Sequence, residues 1–343
     1  MKKSLAIILT LAMILLLAAC GGSAPAATAA PAAPAAAPAE EPAPADAAQS
    51  FTVGICQLVQ HPALDAATEG FKEALVEKLG DSVSFIEQNA SGDSALCSTI
   101  CSQFVGEEVD LIMANATPAL QAAASATASD GERIPVLATS ITDFASALAI
   151  EDWTGVTGTN ISGTSDLAPL DGQAEMLREL FPEAKTVGIL FCDGEANSLY
   201  QVNVIQPVLE DMGYEVKRFS FSDSSLVSSV TETACSECDV LYIPTDNTAA
   251  SCGEAIHNVT LNSKTPIVAG EENLCKLCGV ATLSISYHDI GFACGEMAAD
   301  ILLNGADVAA MPVQFAPEFT KEFNRELCEA LNITVPDDFV AIA

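Results

Sequence analysis

From Phe51 onward, short apolar runs alternate with longer stretches whose apolar positions recur every three or four residues. Runs of four to eight apolar residues bounded by turn residues suit buried strands, and the 3.6-residue period suits helices packed on them. Phe51 to Leu58 reads as a strand, and Pro62 suits a first helical position. Leu64, Ala67, Phe71, Leu75 and Leu79 follow at helical spacing until Gly80 ends the pattern. Val83 to Ile86 is the next strand, a helix covers roughly 94–106, and strands follow at Val109 to Ala114 and Ile134 to Ala138. Thr117-Pro118 reads as a helix N-cap and a first-turn proline.

The pattern then repeats. Gly158 to Ser165 is a polar connection, and Asp166 opens a helix through Leu170, Ala174 and Leu177. Strands are predicted near 186–191, 215–220, 239–243 and 266–269, with helices near 197–212, 224–234 and 247–262. Ser286 or Asp289 opens a further helix with Ile290, Ala293, Met297, Ile301 and Leu302 on one stripe. Alternation of this kind predicts an α/β protein built of βαβ units. Two runs of units predict two doubly wound parallel-sheet lobes with a ligand cleft between them. The expected boundaries are 51–161 plus 286–312 for lobe 1 and 162–285 plus 313–343 for lobe 2. Hinges are expected near 158–165, 282–286 and 312–317.

Residues 1–50 lie outside this pattern. Lys2 and Lys3 precede an apolar run from Leu5 to Leu17, which is the layout of a secretory signal peptide over 1–19. Leu17-Ala18-Ala19-Cys20 looks like a bacterial lipobox, which implies cleavage before Cys20 and lipid on its thiol. Residues 20–50, rich in Ala and Pro, then form a tether. The expected location is outside the cytoplasm, anchored to the bacterial cell membrane.

Composition narrows the functions. The chain of 343 residues carries 13 Lys and Arg against 46 Asp and Glu, a net charge of -33. Such a balance argues against nucleic acid, whose phosphates attract cations. No Gly-x-Ser-x-Gly, P-loop or His-Glu-x-x-His occurs, so no enzyme and no cofactor is expected. Twelve cysteines are present. The Cys235/Cys238 and Cys275/Cys278 pairs leave disulfides and structural zinc both open, with disulfides the nearer alternative. Cys56, Cys192 and Cys294 fit small core residues.

Seven polar loops follow the strands, and each leads into a helix start. In α/β sheets ligands bind at this carboxyl edge, where helix N-termini favour anions. A zwitterion such as an amino acid suits this set. Thr117 meets its carboxylate, with Ser140 or Thr142 nearby. Asp143, Asp246 or Glu271 meets its ammonium, Asp246 being favoured. Asn89, Glu195 and Asn197 orient it, beside Asn247. Gln57 and His61 line the side-chain pocket, with Phe191 and Tyr287 as apolar walls. Thr117, Asn197 and Asn247 also fit plain helix caps, and Phe191 also fits the core.

Several stretches in order carry a family likeness: Gln57-Leu-Val-Gln-His-Pro-Ala-Leu-Asp65, Gln88-Asn89-Ala90, Ala116-Thr117-Pro118, Thr142-Asp143, Glu195-Ala196-Asn197-Ser198, Pro244-Thr245-Asp246-Asn247 and Gly270-Glu271-Glu272. Over about 51–340 the chain resembles the tryptophan/tyrosine-type substrate-binding proteins of ABC importers. The resemblance implies a type I periplasmic-binding protein fold that closes on a small ligand, with an aromatic or other apolar amino acid as the expected class. It implies a monomer that hands its ligand to an ABC permease and its ATPase. A sensor reporting to a membrane kinase or chemoreceptor is the alternative. The chain departs from the family pattern at Cys192-Asp193-Gly194 and at Asn273-Leu-Cys-Lys-Leu-Cys278.

Overall fold

The computed structural model describes residues 50–128 and 134–342, and resolves the alternation into two sheets flanked by helices. Cys20, the signal segment and the tether lie outside the described residues. The first run comprises β1 (Phe51–Gln57), α1 (Pro62–Leu79), β2 (Val83–Asn89), α2 (Ser94–Gly106), β3 (Leu111–Asn115), α3 (Thr117–Thr127), β4 (Val136–Ile141), α4 (Phe144–Ala147) and β5 (Ile161–Ser165). The second comprises α5 (Leu170–Leu180), β6 (Thr186–Cys192), α6 (Ala196–Asp211), β7 (Glu215–Phe221), α7 (Val227–Glu237), β8 (Val240–Ile243), α8 (Asn247–Ser251), α9 (Gly253–Ser263), β9 (Ile267–Ala269), α10 (Glu272–Cys278) and β10 (Ala281–Ser284). The chain ends with α11 (Tyr287–Asn304), β11 (Gln314–Phe315), β12 (Thr320–Phe323), α12 (Arg325–Leu331) and β13 (Val340–Ala341).

One sheet has six parallel strands in the order β11-β5-β4-β3-β1-β2. The other has seven, in the order β13-β12-β10-β9-β8-β6-β7, all parallel except the β10–β12 pair. Central strands such as β3, β4 and β8 are buried along their whole length, because helices cover both faces. Edge strands β2 and β7 mix half-buried with exposed positions, so they read as weaker apolar runs in the sequence.

Sheet membership corrects the expected lobe limits. Residues 161–165 were expected in a polar connection, with lobe 2 beginning at 162, but they pair with β4 in the first sheet. Gly163 makes this possible: a Cβ there would lie 1.8 Å from Ala138 O, and its φ is +148°. β5 is Ile161 followed by small, mostly polar residues, so no apolar run marks it in the sequence. β11 likewise joins the first sheet, pairing with β5, although 313–343 was expected in lobe 2. The chain therefore crosses between lobes after Ser165, after Ser284 and after Phe315. Asp166 does not open a helix; α5 begins at Leu170 behind Pro169.

Helices α1 and α11 pack with their backbones nearly touching. A Cβ on Gly70 would meet His288 O at 2.2 Å, one on Gly291 would meet Ala67 O at 2.0 Å, and one on Gly295 would meet Phe71 O at 2.4 Å. Their contact fixes both helix starts, and with them His61 and Tyr287, relative to the first sheet. All the cysteines from Cys56 to Cys328 are free thiols, so neither CxxC pair is bridged here. Among the described residues no cluster of three His, Cys, Asp or Glu side chains is placed to hold a metal.

Candidate functional site

The polar loops at the carboxyl ends of the strands meet between the lobes. In lobe 1, β3 runs into α3 through Ala116, whose φ of +84° marks a sharp turn at the helix start. Ala116 occupies the N-cap position, so Thr117 is the first helical residue rather than the cap. Freed from capping, the Thr117 hydroxyl is buried and has no partner within the chain. Ser140, at the end of β4, also has a left-handed backbone (φ +59°) and a buried, unpartnered hydroxyl. Buried polar atoms are almost always paired in folded proteins. Two unpaired hydroxyls at adjacent strand ends are therefore ready donors or acceptors for a ligand.

Lobe 2 faces them with Asn197, whose Nδ2 donates to Glu195 Oε2 (3.0 Å) and Thr245 O (3.2 Å), while its Oδ1 is buried and unpartnered. Glu195 is 5% exposed and its oxygens are fully engaged. Oε1 accepts from Thr248 N (2.8 Å) and Thr248 Oγ1 (2.7 Å). Oε2 accepts from Asn197 and from Asn247 N (3.1 Å) and Asn247 Nδ2 (2.6 Å). Across the cleft, His61 Nε2 lies 3.3 Å from Asn247 Oδ1. His61 Nδ1 is buried without a partner. Burial lowers the His61 pKa, opposed by its bond to Asn247 and by the charges of Glu195 and Asp65.

Other expected site residues have structural work instead. Asp246, favoured as the ammonium partner, accepts from Cys192 N (2.6 Å), Ser198 Oγ (2.7 Å) and Ala249 N (2.7 Å), and so stitches its own lobe together. Glu271 caps α10 through the Asn273 and Leu274 amides, and Asp143 caps α4 through Ser146 N. Phe191 is 3% exposed and packs in the core of lobe 2. Gln57 is consumed by Val59 O, Asp65 and Thr68. Asn89 is exposed and accepts from Ser91 N. Thr142 Oγ1 donates to Asp166 Oδ1 at 3.3 Å.

Asp166 was not among the expected site residues. It follows β5 at the first crossing, is 4% exposed, and accepts a 2.8 Å hydrogen bond from Tyr287 Oη at the second crossing. Once residues 161–165 are recognised as a strand, Asp166 stands at its carboxyl end like the other site residues. Burial pushes the Asp166 carboxyl up to about 6, partly offset by its bonds to Tyr287 and Thr142. Burial also raises Asp246 to about 7, with the Glu195 charge adding to it, and raises Glu271 to about 7. The ion pairs of Lys72, Lys78, Lys217 and Lys321 lie on the surface and involve none of Asp166, Glu195, Asp246 or Glu271. The cleft thus combines neutral hydroxyls and helix starts with carboxyl groups, a set that suits a ligand carrying both carboxylate and ammonium. A groove of about 290 Å³ opens beside it, bordered by Leu58, Gly92, Pro118, Cys192 and Thr248.

Residues 52–343 match the family model of the ABC transporter substrate binding proteins. The chain belongs to that family. It is 35% identical to the tyrosine-binding protein of Clostridioides difficile over 291 residues, 84% of this chain and 83% of that protein. Among solved structures it resembles the ABC domain from Streptococcus pneumonia in complex with L-Trp, at 32% identity and a TM-score of 0.79, covering 84% of this chain and 97% of that one. It also resembles the ligand-free, open structure of a substrate binding protein with adhesive properties from Clostridium difficile, at 34% identity and a TM-score of 0.64, covering 85% and 99%. The expected fold is therefore the one observed, and the family is one of binding proteins. No helix of the described residues is long and apolar enough to cross a membrane.

Proposed function

We propose that this protein is the extracytoplasmic receptor of an ABC importer, and that it closes on an aromatic or other apolar amino acid and delivers it to a permease. The observation that carries this is the set of buried, unpartnered polar atoms facing the cleft from both lobes: Thr117 Oγ1 and Ser140 Oγ on one side, Asn197 Oδ1 on the other. The hydroxyls and the start of α3 receive the ligand carboxylate. Asp166 receives the ammonium, since its oxygens each hold one hydrogen bond whereas Asp246 already accepts three. Asn197 and Tyr287 fix the orientation. Relatives that bind tyrosine and tryptophan support the ligand class. The higher TM-score against the Trp-bound relative than against the open one supports a closed arrangement of the lobes here.

Titration calorimetry with L-Tyr, L-Trp, L-Phe and L-Leu tests the assignment. Losing a buried charge-assisted contact costs about 1.5–3 kcal/mol, roughly ten- to hundredfold in affinity. Thr117→Val and Asp166→Asn should each weaken binding by that much, with circular dichroism unchanged. Parent-like affinity in both variants places the ligand elsewhere. The proposal extends to the N-terminus: Cys20 carries lipid and holds the receptor at the membrane. Metabolic lipid labelling of cells should tag the parent but not Cys20→Ser, and an unlabelled parent refutes the anchor.

A further inference from the structure

The binding site contains one histidine whose protonation pattern is dictated by its neighbours. Glu195 Oε2 can only accept, so the 2.6 Å contact from Asn247 fixes the Asn247 amide with Nδ2 towards Glu195. Asn247 Oδ1 must then face His61, and an amide oxygen can only accept. His61 Nε2 therefore carries a proton and donates it across the cleft. Burial holds the ring neutral, so Nδ1 keeps a bare lone pair. That lone pair belongs to a side chain 6% exposed, it makes no bond within the chain, and it does not cap α1. A neutral nitrogen acceptor in a closed cleft asks for a donor and gains nothing from a hydrocarbon.

We infer that His61 Nδ1 accepts a hydrogen bond from the ligand's own side chain, making His61 the residue that selects side chains bearing a phenol O–H or indole N–H over purely apolar ones. The inference rests on the amino-acid reading of the cleft and adds the identity of the selecting group. A site built to accept such a proton discriminates against the analogue that lacks it, because the acceptor is otherwise left buried and unpaired. The relay Glu195–Asn247–His61 also ties selection to closure. Only when the lobes meet does Asn247 reach His61 and fix which nitrogen is bare.

Calorimetry with L-Tyr, L-Trp and L-Phe on the intact chain tests it. The parent should bind at least one of the donor-bearing ligands at least tenfold tighter than L-Phe. His61→Leu should bring that ligand and L-Phe within about threefold of each other, while L-Phe keeps or improves its affinity. Asn247→Asp, which removes the amide that faces Glu195, should also narrow the gap. Equal binding of all three ligands by the parent overturns the inference but leaves the amino-acid receptor standing, as does a parent-sized preference surviving in His61→Leu. Failure of the parent to bind any of the three, or any other amino acid, refutes the receptor reading itself. His61→Gln supplies the check against misfolding: a folded variant that still offers a buried acceptor should retain part of the preference.

Discussion

Glu195 is the most heavily engaged side chain of the cleft, and its replacement by Gln gives a sharp prediction. The carboxylate accepts five hydrogen bonds, two at Oε1 and three at Oε2. A glutamine amide keeps one oxygen. Placing it at the Oε2 position preserves three bonds but turns an NH2 group against Thr248 N, 2.8 Å away, and leaves that donor unsatisfied. The lost bond is charge-assisted and costs about 1.5–3 kcal/mol, and the three retained bonds weaken as the charge disappears. Relief at Asp246, whose carboxyl is pushed up partly by the Glu195 charge, returns some of this. A net loss of about 2–4 kcal/mol remains, which corresponds to a fall in melting temperature of about 3–7 °C at about 2.1 cal/mol/K of unfolding entropy per folded residue. Differential scanning calorimetry on the ligand-free protein measures it. A melting point within about 2 °C of the parent would refute the account of Glu195 as a structural bridge. Retained stability together with lost affinity would make it a ligand contact instead.

Three further outcomes follow from burial and packing. Asp166, Asp246 and Glu271 have carboxyls raised to about 6, 7 and 7, so between about pH 4 and pH 7 the native state binds more protons than the unfolded one. Their contribution is therefore full below about pH 4 and is lost as pH rises through 7, opposed in that range by the lowered pKa of His61; urea midpoints should be higher at pH 5 than at pH 8. Gly291→Ala would drive a Cβ to 2.0 Å from Ala67 O, and should destabilise the protein by more than about 3 kcal/mol or prevent soluble expression, as chemical denaturation will show. Phe191→Ala should cost about 3–5 kcal/mol of stability, with affinity in the remaining folded protein unchanged within about threefold by calorimetry.

The sequence shows the fold wherever burial imposes an apolar run. β1, α2 and β6 lie within a residue or two of their expected limits because both faces of each strand, or one stripe of the helix, must exclude water. β5 stayed hidden because Ile161-Ser-Gly-Thr-Ser165 is buried by close backbone approach rather than by apolar bulk. That omission displaced the lobe boundary and concealed Asp166. In the site, residue type and strand-end position pointed to the right loops but not to the division of labour within them. Asp246 and Asp166 are both acids after a strand; only the three donors around Asp246 show that its charge is spent within its lobe. Thr117 shows the opposite case: it has the composition of a cap, yet the turn at Ala116 releases its hydroxyl.

The glycine contacts between α1 and α11 pair residue 67 with 291 and residue 71 with 295, so the two helices run side by side in the same direction. Parallel neighbours add their macrodipoles, and both positive ends lie at the cleft, next to His61 and Tyr287. α3, α6, α8 and α10 also begin at strand ends facing it. The cleft therefore sits in a field made by peptide groups rather than by mobile lysines, and this field offsets the mutual repulsion of its acids. Dissolved ions screen exposed charges but reach buried dipoles poorly. Ligand affinity should accordingly change less than about threefold between 0.05 and 0.5 M salt, despite a chain charge of -33.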